Sequence, residues 1–360
     1  MAHMIYRIKV VAALLTLHII AFGIIVQRNS MVLDRPRSRF DATVSRYQFQ
    51  PSQKLPTPLL TSSRTRWIIM SLAVSTMMSR GYEFCLPIVV AAWKQIGWHS
   101  LIFVVESSNV WNTSTVLKLV RDQTLDIDPT ARFVRIPVSH NPVSFAQVSR
   151  LFAILFAPWI RPNDLVMTTD IDLIPIKKNI FDEVEKSDIS LLNTNCCGSF
   201  IWNNTEISMQ PMSYVAMSAK NWLKVMDIRR PFEKNETHAH YINSWLTQNY
   251  GKVIPSKDVV KGGNAVWFLD QRVVSIQLYK TSLKTYKRPQ RTSLERADRA
   301  RDNSWTNFKR FMDAHMYYDS FKGAQWNRTF RLITYIFSVD VSEKLKFYRE
   351  QFVKYTKYST

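Results

Sequence analysis

The chain has 360 residues, and its 46% hydrophobic and 12% aromatic residues are typical of a globular protein and exclude a disordered one. That length allows one large domain or two ordinary ones with a sizeable core. The formal net charge of +20 favours an anionic partner: a polyanion, an anionic membrane surface or a phosphorylated small molecule.

The amino terminus carries an apolar segment. Residues 10–26 contain no charged side chain, and Arg7 and Lys9 precede them. This pattern predicts a cytosolic tail over 1–9 and a transmembrane signal anchor over 10–26. A cleaved signal peptide ending near Gly23 is the alternative, and the bulky residues after that glycine favour retention. In both cases the rest of the chain is expected in the secretory lumen.

Four glycosylation sequons agree with a lumenal chain; they begin at Asn112, Asn203, Asn235 and Asn327. A lumenal location excludes nucleic acid as the partner. It also permits disulfides among Cys85, Cys196 and Cys197. A bond from Cys85 to either of the others would leave one thiol over, whereas a bond between adjacent cysteines would be strained.

Residues 27–65 are polar, contain four prolines and show no sustained apolar period, so we predict a stem. An ordered domain is expected over 66–340, with a helical tail over 341–360. The domain begins with strand and helix patterns that alternate three times, and a fourth strand then leads to Asp170. The third helix is expected over 144–157. Such alternation predicts an α/β domain with a mostly parallel sheet, whose ligands bind at the carboxyl ends of the strands.

Beyond Asp172 the pattern changes. Short strand-like segments (ISLLN, GSFIWN, YVAMSA, AVWFL and VVSIQL) mix with helix patterns near 219–226 and 241–250. We expect an elaborated, partly antiparallel continuation of the same domain.

The sequence DLVMTTDIDLIPI places Asp170 and Asp172 directly after the fourth strand. In an extended segment both carboxylates would point to one side, with Ile171 packed behind them. Like charges at that spacing repel unless a cation lies between them. Carboxylates suit Mg²⁺ or Mn²⁺, whose coordination is then completed by water and by phosphate oxygens of a substrate. We therefore predict a divalent metal site.

A signal anchor, a stem and a lumenal α/β domain with strand-Asp-x-Asp resemble a Golgi glycosyltransferase of the GT-A fold. The resemblance covers about residues 67–330. It implies a mixed, mostly parallel sheet flanked by helices, in a single-pass type II protein of the Golgi or endoplasmic reticulum membrane. It implies transfer of a sugar from a nucleotide-sugar, often uridine-linked, to a glycan, glycoprotein or glycolipid acceptor, with Asp170 and Asp172 binding Mn²⁺ or Mg²⁺ and the donor diphosphate.

The resemblance also implies roles for five further residues. AQVSRLFAIL is similar to the helix whose arginine contacts the diphosphate, here Arg150. WFLDQRVVSI is similar to a strand ending in Asp-Gln, and Asp270 would be the general base. DAHMYYDSFKGAQW is similar to the segment that supplies a third metal ligand, His315, and a phosphate contact, Lys322. Glu106, at the end of the second strand, would contact the nucleoside.

Other interpretations stay open. His238 and His240 fall at the edge of a helix pattern and are taken as surface residues. Haloacid-dehalogenase-type phosphohydrolases also place Asp-x-Asp after a strand, but on the first strand of the domain and with Thr or Val where this chain has Ile174. A non-catalytic, membrane-anchored lumenal binding protein is the third possibility.

Overall fold

A computed structural model of the chain describes residues 64–74, 82–194, 196–233, 235–251, 254, 268–289, 296–297 and 307–356. The predicted cytosolic tail and anchor, and nearly all of the predicted stem, lie outside these residues. None of the described helices is both long and apolar enough to cross a bilayer.

A seven-stranded sheet forms the centre of the domain, in the order β10-β6-β9-β4-β1-β2-β3. Strand β9 runs antiparallel to its neighbours β4 and β6, and the other pairs are parallel. The predicted mixed, mostly parallel α/β sheet is confirmed. Its strands are β1 (Arg66–Val74), β2 (His99–Glu106), β3 (Arg132–Pro137), β4 (Leu165–Thr168), β6 (Ile189–Thr194), β9 (Val215–Ser218) and β10 (Thr285–Pro289).

Two pairs of short strands accompany the main sheet. Strand β5 (Leu173–Pro175) pairs antiparallel with β11 (Asp313–His315). Strands β7 (Ser199–Trp202) and β8 (Thr205–Ser208) form a hairpin. The first pair joins segments nearly 140 residues apart, and it is the one that matters for the candidate site.

Helices flank the sheet. They are α1 (Leu86–Gln95), α2 (Val110–Thr113), α3 (Thr115–Ile127), α4 (Pro142–Ser149), α5 (Ala153–Phe156), α6 (Lys178–Asp182), α7 (Ala219–Val225), α8 (His238–Tyr250), α9 (Leu269–Lys280), α10 (Gly323–Ile336) and α11 (Val339–Thr356). Single 3₁₀ turns lie at Glu83–Cys85, Arg150–Phe152, Glu183–Lys186 and Phe308–Arg310.

Both faces of the sheet are buried, which explains the continuous apolar runs of its strands. Along β1, Ile68 and Met70 belong to one buried cluster and Ile69 belongs to the other, as the alternation of a strand requires. Helices α1, α3 and α11 contribute to the first cluster, and α4, α8 and α9 contribute to the second. The sheet is therefore a rigid support for side chains at its edges.

One expectation about local structure was wrong, and another holds only in part. The segment VVSIQL is part of helix α9, not a strand, because its residues pack one side of a helix against the second cluster. The helix expected over 144–157 is present but is interrupted by the 3₁₀ turn at Arg150–Phe152. The cysteine pairing, which the sequence left open, joins Cys196 to Cys197, while Cys85 is a buried free thiol. The strand expected over 265–269 falls mostly on residues that the structure does not describe.

Candidate functional site

Asp170 and Asp172 lie at the carboxyl edge of the sheet, directly after β4. The Leu173 N–H donates to the carbonyl oxygen of Asp170 at 3.3 Å, which closes a tight turn between β4 and β5. The segment is therefore not extended as predicted. Asp170 contacts Arg150, and Asp172 contacts His315. The Asp170 side chain is 44% exposed and that of Asp172 is 11% exposed. Ile171 packs into the core behind them, as expected.

Arg150 binds the first of these carboxylates. Its 3₁₀ turn follows α4 and points the guanidinium under the turn after β4. Nη1 donates to Asp170 Oδ1 at 2.6 Å and to the Thr169 carbonyl oxygen at 2.9 Å, and Nη2 donates to Asp270 Oδ2 at 2.8 Å. The residue is only 5% exposed. Burial opposes the charge, but the two aspartates raise the pKa of Arg150, so it stays cationic.

Asp270 lies in the first turn of helix α9, not at the end of a strand as predicted. It is 2% exposed, and its Oδ1 accepts the Gln271 N–H at 2.8 Å. Burial raises the pKa of Asp270, and the neighbouring Arg150 guanidinium opposes that rise. Both carboxylate oxygens are thus engaged within the protein. This geometry makes Asp270 the buried counter-ion that orients Arg150, and it does not aim the carboxylate at an acceptor.

Asp172 meets His315 across the β5–β11 pair. Leu173 is opposite His315 in the register, and the Met316 N–H donates to the Asp172 carbonyl oxygen at 2.7 Å. His315 Nε2 lies 2.9 Å from Asp172 Oδ2. The structure therefore brings together two of the three predicted metal ligands from distant parts of the chain.

A buried polar cluster supports this pair. Asp313 is fully buried at the start of β11, and its Oδ2 accepts the Tyr214 hydroxyl at 2.7 Å. Arg296 Nε lies 3.1 Å from Asp313 Oδ1. The Tyr214 N–H donates to the Thr168 carbonyl oxygen at 2.7 Å, which ties this cluster to the end of β4. Asp313 and Tyr214 were not predicted from the sequence. Asp313 could have been found, because it is the first residue of the DAH segment that contains His315.

Glu106 is placed for a structural contact. It is 2% exposed, its Oε2 accepts the Trp111 N–H at 2.9 Å, and its Oε1 accepts Arg135 Nε at 2.8 Å. Lys322 directly precedes α10, where its N–H donates to the Asp319 carbonyl oxygen at 2.8 Å. Neither placement tests the nucleoside or phosphate contact, so both roles stay predictions.

His238 is not the surface residue that the sequence suggested. Its ring packs 4.4 Å from the ring of Phe156 and 4.7 Å from that of Phe232, measured between centroids. Burial lowers the pKa of His238 from 6.5 to about 4. His240, two residues on, is exposed as expected.

The donor atoms at the edge suit a divalent metal only in part. Asp172 and His315 supply one oxygen and one nitrogen within contact of each other. Asp170 is held by Arg150 instead, and the described residues contain no group of three acidic, histidine or cysteine side chains placed to bind one ion. An oxygen and nitrogen pair fits Mn²⁺ if water and phosphate oxygens complete the coordination. The three-ligand set of Asp170, Asp172 and His315 stays a prediction.

The sequence matches no protein-family model and no curated protein. Among solved structures, an active-site mutant of LgtC shares 12% identity and a TM-score of 0.38, over 73% of this chain and 94% of that one. The galactosyltransferase LgtC in complex with donor and acceptor sugar analogues shares 14% identity and a TM-score of 0.36, over 82% of this chain and 96% of that one. A 4-diphosphocytidyl-2C-methyl-D-erythritol synthase shares 7% identity and a TM-score of 0.30, over 60% of this chain and 100% of that one.

Proposed function

We propose that the protein is a metal-dependent glycosyltransferase that moves a sugar from a nucleotide-sugar, with uridine as the first nucleoside to test. The single observation that carries this proposal is the Asp172–His315 contact at the carboxyl edge of the sheet, 2.9 Å between side-chain atoms. An acid and a histidine from segments nearly 140 residues apart meet beside a second carboxylate and a buried arginine. That set suits a cation and a diphosphate together.

Asp172 and His315 would hold the Mn²⁺ or Mg²⁺ ion, with Asp170 as the third predicted ligand. When bound, the ion would neutralise negative charge on the diphosphate leaving group. Arg150 fixes the Asp170 carboxylate at the edge and adds a permanent positive charge there. Asp270 holds Arg150 in place from the buried side. Fixed charges of this kind need no rearrangement during the reaction.

The general base is not assigned by this geometry. Asp270 was the candidate from sequence, but its two oxygens bind Arg150 and the Gln271 N–H. A base must reach the acceptor hydroxyl directly or through one water. We therefore give Asp270 a positioning role and leave open whether the sugar's configuration is inverted or retained.

The location and the acceptor belong to the same proposal. The apolar segment over 10–26 and the four sequons support a type II protein of the Golgi or endoplasmic reticulum membrane, with residues 66–340 as the lumenal catalytic domain. The acceptor would then be a lumenal glycan, glycoprotein or glycolipid. Lys322 and Glu106 are the proposed further contacts to the donor.

A donor screen tests the proposal. The full-length protein in detergent is heated with each of a set of UDP-, GDP- and CMP-linked sugars, with and without Mn²⁺. A ligand that binds only the folded state raises the unfolding temperature. We expect stabilisation by one donor that requires the metal. Folded protein that responds to no donor would overturn the proposal.

The two alternatives from sequence gain no support. A haloacid-dehalogenase-type phosphohydrolase places the acid pair on the first strand of the domain, whereas Asp170 and Asp172 follow the fourth strand of the sheet along the chain. A non-catalytic binding protein would be stabilised by a donor but would not turn it over. The same screen followed by a hydrolysis assay therefore distinguishes a binding protein from a transferase.

A further inference from the structure

A cleft lies at the edge of the sheet opposite to the candidate site. Its volume is about 500 Å³, and its lining includes Arg64, Asn163, Lys186, Ser218, Lys220 and Lys284. Arg64, Asn163, Lys186 and Lys284 precede β1, β4, β6 and β10 in that order, while Ser218 ends β9 and Lys220 follows it. Strands β1, β4, β6 and β10 run in one direction, so the cleft marks their amino ends. We call it the amino-edge cleft.

The amino-edge cleft is distant from the acid pair. Asn163 lies at the cleft, and Asp170 lies at the other end of β4, seven residues on. An extended strand rises about 3.3 Å per residue, so the four residues of β4 alone hold the two places roughly 10 Å apart. A ligand in the cleft would therefore not be part of the proposed donor or metal site.

Among the described residues, the cleft carries more positive than negative charge. Four lining residues are basic and two are acidic. Within the described part of the chain, no ion pair engages Arg64, Lys220 or Lys284, and Lys186 has only a 3.9 Å contact with Glu183.

The two acids offset only part of this charge. Glu185 Oε1 binds Arg66 at 2.6 Å, and Asp188 Oδ2 accepts the Lys284 backbone N–H at 3.3 Å, which leaves the Asp188 carboxylate charged. Like charges in excess of their counter-ions raise the free energy of the folded state, and a bound anion would relieve that repulsion.

The remaining lining groups select the kind of anion. None of the described residues that line the cleft is apolar or aromatic, so these residues offer no surface for stacking a nucleobase or burying a hydrocarbon. Ser218 is 7% exposed, and its hydroxyl oxygen accepts the Asn221 N–H at 3.3 Å, so its O–H can still donate. Ammonium groups with hydroxyl and amide donors match a tetrahedral oxyanion.

We propose that the amino-edge cleft binds the phosphate or sulfate group of an anionic ester, at a site separate from the acid pair. The ester has two possible sources, a lipid headgroup or a soluble polyanion such as a sulfated glycan. Both present the same tetrahedral oxyanion to Lys220 and Lys284. The proposal goes beyond the glycosyltransferase function and does not depend on it.

The test uses full-length protein in detergent and excess chelator, so that no metal-dependent phosphate binding contributes. Inorganic phosphate is titrated into the wild type, the pair Lys220→Gln with Lys284→Gln, and the control pair Lys224→Gln with Lys354→Gln. The control pair removes the same charge from exposed lysines outside the cleft. We expect at least ~10-fold weaker binding in the first pair and no more than ~2-fold in the control pair. Unfolding temperatures show whether both pairs stay folded.

Two further arms identify the source. Vesicles of phosphatidylcholine with a phosphatidylinositol phosphate test the lipid headgroup, and a heparin-derived oligosaccharide tests the soluble ester. The proposal is supported if the vesicles or the oligosaccharide bind to the wild type, if phosphate displaces them, and if the double variant of Lys220 and Lys284 no longer binds them. The ligand that binds identifies the source. Absent saturable phosphate binding, equal losses in both variant pairs, or phosphate binding with neither ester would overturn it.

Discussion

Arg150 shows at the scale of one residue how the candidate site depends on a buried charge. The Arg150 side chain is 6% exposed. Its guanidinium binds the solvent-facing carboxylate of Asp170 and the buried carboxylate of Asp270. Removing one partner of a buried ion pair leaves the other charge uncompensated in a low-dielectric interior. Stability and function are therefore coupled at this residue.

We expect Arg150→Met to lower the free energy of unfolding by about 3–5 kcal/mol, because Asp270 is then a buried charge without a partner. Adding Asp270→Asn should recover part of that loss. Urea unfolding of the two single variants and the double variant measures the coupling. Arg229→Met is the matched control, since Arg229 pairs with Asp227 at 83% side-chain exposure and should have little effect. Purely additive losses would contradict the assignment of Asp270 as the counter-ion.

His238 gives a pH prediction. Its folded-state pKa of about 4 lies below the ordinary value of 6.5. Below pH 6.5 the imidazole of His238 binds a proton in the unfolded chain but not in the folded protein. The contribution of neutral His238 to the free energy of unfolding is therefore fully present above pH 6.5 and is lost as the pH falls to about 4. The full loss is at most ~3 kcal/mol.

The measurement is the free energy of unfolding between pH 7 and pH 4, by urea titration. His238→Gln should show a smaller decrease toward acid than the wild type, while His240→Gln, at an exposed neighbouring position, should follow the wild type. Equal decreases in the wild type and His238→Gln would show that His238 does not resist protonation.

At the scale of elements, the β5–β11 pair decides where His315 lies. Its register puts His315 opposite Leu173, next to Asp172 in the chain. Tyr214, the residue directly before β9, connects this pair to the main sheet through the hydrogen bond from its hydroxyl to Asp313. The position of a predicted metal ligand thus depends on one long-range strand pair and its buried support.

We expect Tyr214→Phe to destabilise the protein by about 1–3 kcal/mol, because Asp313 loses a buried hydrogen bond. It should also weaken Mn²⁺ binding, measured by electron paramagnetic resonance of the free ion, because β11 is less firmly placed. Tyr355→Phe is the control at an exposed tyrosine. If Tyr214→Phe destabilises the protein but leaves its Mn²⁺ affinity unchanged, the Tyr214–Asp313 hydrogen bond does not position His315 for metal binding.

The elements differ in how far the sequence could predict them. Strands β1 to β4 and their crossover helices follow from local apolar patterns, because β1, β2 and β4 have buried residues on both faces. Helix α9 was mistaken for a strand since VVSIQL is rich in β-branched residues and tertiary packing outweighed that preference.

The site shows the same division. Asp170 and Asp172 could be located because they follow a strand, and Arg150 and His315 were named from the resemblance. The turn that begins at Asp170, the hydrogen bond from Arg150 to Asp270 and the hydrogen bond from Tyr214 to Asp313 could not be predicted. Each depends on contacts between residues distant in sequence, and local patterns carry no signal for those.

At the scale of the whole molecule, the two edges of one sheet carry different chemistry. The carboxyl edge holds acids, a histidine and a buried arginine, whereas the amino edge holds a cleft whose described lining has four basic and two acidic residues. The net charge of +20 is therefore compatible with anionic ligands at both edges. The two proposals can fail independently, because the variants that test them are at opposite ends of the strands.

Metal-dependent turnover tests the central claim most directly. Release of labelled sugar from the donor found in the screen is followed with Mn²⁺, after chelation, and after Mn²⁺ is restored, for the wild type, Asp172→Asn and the exposed control His240→Gln. The predicted result is turnover that chelation abolishes and Mn²⁺ restores, with a loss of ~100-fold or more in Asp172→Asn and none in the control. Full turnover in chelator, or in Asp172→Asn, would contradict a metal-dependent transferase centred on Asp172.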